Sequence, residues 1–101
     1  MAAERTALPG EINYAPFDRY SLFHVLVGVA AGMAGLGFWV TFGIAVGWEI
    51  VEHFLKNLVP ALFVYPSQDT LANSAGDVLS VLYGWAIATA VRQRRALHRF
   101  A

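Results

Sequence analysis

Eight side chains in this sequence can hold a proton, a metal ion or a polar ligand within otherwise apolar surroundings: Asp18, His24, Glu49, Glu52, His53, Asp69, Asn73 and Asp77. Their spacing is helical. Glu49 and His53 stand at i and i+4 with Glu52 at i+3, while Asp69, Asn73 and Asp77 recur every four residues, so each set falls along one side of a helix. Carboxylate and imidazole together suit a divalent zinc, manganese or iron ion, and the candidate ligands are Glu49, Glu52, His53 and Asp77, with His24 as a further one. No HExxH spacing fixes the metal's identity. The same residues, with Asp69 and Asn73, define a pocket for a polar ligand. A membrane hydrolase using these acids is a third reading, but no residue set supplies a nucleophile with its base, so the expected role is non-enzymatic.

The elements that must position these groups are membrane helices. The chain has 101 residues, 57% of them hydrophobic and 14% charged, which is too apolar for an ordinary soluble domain of this length. Formal net charge is zero, so no general electrostatic case for nucleic acid exists. No cysteine is present, which removes disulfides and thiolate metal sites. Because the first apolar stretch follows a mixed-charge segment, a cleavable signal peptide is not expected.

From Tyr20 to Trp48 no Asp, Glu, Lys or Arg occurs. At 1.5 Å per residue about 20 residues cross a hydrocarbon core, so this run and its continuation to Val64 suit two spans. Gly35-Leu36-Gly37 is the natural turn. The expected helices are about 18–34, 38–59 and 71–92, with Pro60 and Pro66 in a connecting loop and the third helix continuing as a basic amphipathic tail over 92–101. A single tilted helix running through the glycines is the rival. The fold class is therefore all-α, a three-helix membrane domain over 1–101. Arg92, Arg94, Arg95 and Arg99 place the tail in the cytoplasm by the positive-inside rule, which puts the N-terminus outside and all eight polar residues in the outer half of the membrane.

A charge inside a bilayer costs at least about 2.5–3.5 kcal/mol on insertion scales, so acids there need partners. Arg19 and Lys56 are the only fixed positive charges near that side. Three solutions stay open: carboxyls that share protons, a bound divalent cation, or a cationic ligand. An interhelical hydrogen-bond network wetted by the interface is the plainer alternative.

Small residues recur four apart at Gly28 and Gly32, at Gly43 and Gly47, and along Gly76, Ser80, Gly84 and Ala88. Such stripes let helix backbones approach, here within the three-helix unit or against other subunits or a second copy. Trp48, Tyr83 and Trp85 are expected to pack rather than to hold a cofactor.

The segments Asp18-Arg19-Tyr20-Ser21-Leu22-Phe23-His24, Trp48-Glu49-Ile50-Val51-Glu52-His53 and Gln68-Asp69-Thr70-Leu71-Ala72-Asn73-Ser74-Ala75-Gly76-Asp77 together resemble the pattern of VanZ-like membrane proteins. That pattern has an Asp and a His opening one helix, a Glu with a polar partner three residues on, and D-x-x-x-N-x-x-G opening a third. The paired glutamates followed by an Asp-rich segment also resemble YjdF-like membrane proteins. The resemblance implies a small multi-pass protein of the inner membrane with an envelope-related role. The alternative expectation is an accessory subunit of a larger membrane complex, for example a respiratory or photosynthetic one.

Overall fold

A computed structural model describes residues 17–63 and 70–99 as an all-helical chain. Helix α1 covers Ser21–Met33, α2 covers Phe38–Leu58, a single 3₁₀ turn follows at Pro60–Leu62, and α3 covers Leu71–Arg99. Two of them, α2 and α3, are long and apolar enough to cross a membrane. Helix α1 has 13 residues and a length of about 20 Å, short of a hydrocarbon core.

One boundary differs from expectation. Helix α1 begins at Ser21 rather than near Asp18, because Asp18 forms a turn ahead of it: the carboxylate Oδ1 accepts the Tyr20 N–H at 2.8 Å and the Asp18 N–H donates to Ser21 Oγ at 3.0 Å. Helix α3 runs on from the expected span's end near Arg92 to Arg99, the basic amphipathic tail continuing it as helix, since Arg, Gln, Ala and Leu in 92–99 favour helix and no Gly or Pro interrupts them.

The turn between α1 and α2 sits where the glycines place it. Gly35 adopts φ +82°, the Leu36 N–H returns to Ala31 O at 3.0 Å and the Gly35 N–H to Gly32 O at 3.1 Å. This is a Schellman ending with glycine at the left-handed position. Trp85 of α3 secures it by donating Nε1–H to Leu36 O at 2.7 Å. Trp85 thus packs as expected, whereas Tyr83 faces outward.

Contacts between α1 and α3 rise in step along both chains. Asp18 meets Asn73, His24 meets Asp77, Gly28 meets Val81 and Trp85, and Gly32 meets Trp85 and Ala88, so the two helices are parallel. Helix α2 runs antiparallel to both, with Phe38 against Trp85 and Glu49 near His24. Glycine permits the α1–α3 approach: a Cβ on Gly28 would lie 1.8 Å from Val81 O, and one on Gly84 would lie 2.0 Å from Val25 O. Gly76 is likewise buried on α3. Gly43 and Gly47 have no such role, because a Cβ on either would meet nothing within 4 Å among the described residues. Their stripe lies on a side of α2 that faces away from the bundle.

The interior is polar and small, and the exterior is apolar. Thr41, Thr70, Asn73, Ser74, Asp77 and Ser80 are buried, whereas Trp39 and Leu58 are each 77% exposed in company with most large apolar side chains of the three helices. Water disfavours this distribution, and a hydrocarbon solvent suits it.

Candidate functional site

Each helix delivers one ligating side chain to a common point. His24 comes from the first turn of α1, Glu49 from the middle of α2, and Asp77 from the second turn of α3; one ligand atom from each lies within 4.8 Å of the other two. His24 Nε2 stands 3.5 Å from Asp77 Oδ2 and 3.9 Å from Glu49 Oε1. The side chains retain little exposure, at 18% for His24, 8% for Glu49 and 6% for Asp77.

Local structure sets these positions. Thr70, immediately before α3, accepts the Asn73 N–H at Oγ1 at 3.1 Å as an N-cap. Asn73 Nδ2–H in turn donates to Asp18 Oδ2 at 2.9 Å. Asp18 therefore ties the start of α1 to the first turn of α3. With the two helices parallel and locked at Gly28 and Gly84, His24 and Asp77 arrive at the same level. The reversal at Gly35 then returns α2 antiparallel and brings Glu49 to that level.

The chemistry of the cluster follows from the His24 ring. Its Nδ1 is 2.8 Å from Tyr20 O, an acceptor only, so Nδ1 carries the hydrogen of that bond. In the neutral ring this aims the Nε2 lone pair at two carboxylates. A proton or a cation between the three groups would suit such an arrangement. A backbone carbonyl on the far nitrogen is also the usual support for a metal-ligating histidine.

Neither Nε2 contact is short enough for a direct hydrogen bond. N–H···O bonds lie at about 2.7–3.2 Å, shorter than either contact of Nε2. Ligand atoms about 2.1 Å from a tetrahedral ion are roughly 3.4 Å apart, close to the 3.5 Å between His24 and Asp77 and shorter than the 3.9 Å between His24 and Glu49. Two carboxylates and one imidazole balance a divalent ion's charge.

The other expected site residues divide among different tasks. Glu52 does not join the cluster: its Oε1 accepts from Lys56 Nζ at 2.7 Å, an i, i+4 pair in which Lys56 is buried and its ammonium lies 5.6 Å from the Phe63 ring centroid. The reason is rotation about the helix, since three residues turn Glu52 about 60° away from Glu49. His53 also stands apart. It is one turn and about 6 Å beyond Glu49, lines the same cleft between α2 and α3, and packs edge-on against Phe54. Asp18 and Asn73 fasten the helices together, and Asp69 lies outside the described residues. Lys56 and the Tyr20 carbonyl were not among the expected site groups. The Glu52–Lys56 pair has the favourable Glu-before-Lys order at i, i+4, a signal present in the sequence.

The cluster has an apolar cleft on either side. One, of about 410 Å³, is walled by His24 and Asp77 with Phe23, Val27, Ile44, Trp48 and Val81. The other, of about 440 Å³, is walled by Glu49 with His53, Phe54, Leu71 and Val78. Neither a protein-family model, nor a curated protein, nor a solved structure matches this chain.

Proposed function

We propose that this protein is a membrane-embedded carrier or receptor of a divalent transition-metal ion, bound by His24, Glu49 and Asp77. The convergence of one ligand from each of three helices, around a histidine whose far nitrogen is committed to a carbonyl, is the observation that carries the reading. Zinc and manganese fit the nitrogen and oxygen ligand set best. The VanZ-like resemblance, which rests on Asp18, His24, Glu49, Glu52, Asp69, Asn73 and Gly76, supports an envelope-related activity at the inner membrane.

Elemental analysis of protein purified in a mild detergent without added chelator tests the reading. One equivalent of zinc, manganese or iron per chain is expected, falling at least tenfold in Glu49→Gln. Metal at background level in both proteins would remove it.

In this reading all three helices enter the membrane, with the N-terminus outside and the Arg92–Arg99 end in the cytoplasm. The apolar exterior and polar interior support it, and the short α1 is accommodated by local thinning of the bilayer or by snorkelling of flanking residues. Absence of native cysteine makes topology simple to measure. Introduced cysteines at Ala61 and Arg95 should label from opposite sides, Ala61→Cys from outside and Arg95→Cys only after permeabilisation. Labelling of both from one side would leave α3 uncrossed and sink the topology.

An accessory-subunit role is a second reading, favoured by one observation. Helix α2 buries little of its surface, and its Gly43–Gly47 stripe is open to close approach by another helix. Purification with a stoichiometric partner that protects Gly43→Cys from labelling would support it.

A further inference from the structure

Three protein ligands leave a divalent ion with at least one open coordination position, and the surroundings of that position decide what fills it. His24 and Asp77 both wall the cleft of about 410 Å³, whose remaining lining is Phe23, Val27, Ile44, Ala45, Trp48 and Val81. Apart from the two ligands, no charged side chain lines it among the described residues. Phe23, Val27, Ile44 and Trp48 are each about half exposed, so the cleft opens on the outer surface of the helices and not on the polar interior. A small hydrated anion entering there would lose its water against hydrocarbon walls. An amphiphile would keep its tail on those walls and present only its head to the ion.

Building on the cation-binding reading, we infer that the open position takes the phosphate oxygen of a lipid, whose acyl chain lies in the Phe23–Val27–Ile44–Trp48 cleft. The cleft is continuous with the ligand cluster through His24 and Asp77, and a bound divalent cation complements a phosphate head. Phosphate oxygen is a normal partner for such an ion, which acts on it as a Lewis acid. Val81 and Ala45 at the floor are buried and set the depth to which a head group enters.

The test uses the full chain in a maltoside detergent loaded with Mn²⁺, and reads the paramagnetic relaxation of ³¹P in two probes. Dihexanoylphosphatidic acid carries head and tails, and glycerol 3-phosphate is the same head without them. Relaxation measured with Asp77→Asn protein is subtracted to remove free manganese. The lipid is expected to saturate at a concentration at least tenfold below that of glycerol 3-phosphate. Val27→Trp, which fills the cleft from α1, should shrink that preference below threefold while leaving the Mn²⁺ affinity within twofold. Ile44→Trp fills it from α2 and should do the same, which guards against a folding defect in either variant. Equal saturation by both probes would mean a free-phosphate site and overturn the lipid assignment alone, as would a preference unmoved by both tryptophans. Failure of the wild-type chain to bind Mn²⁺ at all would instead overturn the cation reading, and this inference with it.

Discussion

Asp77→Asn should abolish metal-dependent stabilisation while leaving the metal-free protein as stable as the wild type or more so. In the absence of an ion, Asp77 and Glu49 are two nearly buried carboxylates near one imidazole, and removing one of them relieves repulsion and desolvation. A ligand that binds only the folded state stabilises it by about 2.7 kcal/mol when present at 100 times its Kd. The wild type should therefore unfold at a higher temperature in excess Mn²⁺ or Zn²⁺ than in EDTA, and the variant at the same temperature in both. The two curves cross: the variant is the equal or better protein in EDTA and the poorer one in metal. A merely structural Asp77 would give the opposite pattern, with destabilisation in both conditions and an undiminished response to metal. Glu49→Gln should behave as Asp77→Asn does, whereas Glu52→Gln should leave the metal response intact, because Glu52 is engaged by Lys56.

Gly28→Leu should separate α1 from α3 and remove both the fold and the site. The first side-chain atom alone would fall 1.8 Å from Val81 O and 2.8 Å from Trp85 N, and these are backbone atoms that no rotamer change can clear. Ordinary overpacking costs about 1–3 kcal/mol, and a clash with backbone belongs at or beyond the upper end of that range. Even Gly28→Ala places that atom, so it should lower the unfolding temperature in detergent and reduce metal affinity by displacing His24 from Asp77. The matched control is Gly43→Ala on α2, where the added methyl meets open space. Helix propensity there gains up to about 1 kcal/mol, so stability and metal binding should hold or improve. Equal losses in both variants would show that α1 and α3 are not joined through their glycines.

The contrast between those glycine pairs marks the boundary of what a sequence can say. Gly28–Gly32 and Gly43–Gly47 have the same spacing and apolar neighbours, yet one is the seam of the α1–α3 contact and the other faces outward. Spacing places residues along one side of a helix but does not state which side turns toward a neighbour. The Gly35 turn was legible because only a residue tolerant of positive φ can end α1 there. Glu49 and Asp77 were expected to meet from their depth along the two helices, and they do, with His24 as the third member. Grouping Glu52 and His53 with them went too far: a helical turn that looks continuous in one dimension sends Glu52 toward Lys56 and carries His53 one turn away. The Tyr20 carbonyl that orients His24 has no sequence signature, since any residue supplies a carbonyl. The apolar span of α3 ends near Arg92, and helix propensity carries the basic tail on as helix to Arg99.

X-ray absorption at the metal edge of the purified, metal-loaded protein addresses the cluster most directly, because it reads the ligand atoms themselves. A shell of nitrogen and oxygen at about 2.0–2.2 Å with the outer scattering of one imidazole is predicted, that imidazole signal being lost in His24→Ala. A shell of oxygen alone in the wild type, or an imidazole signal that persists without His24, would contradict the account.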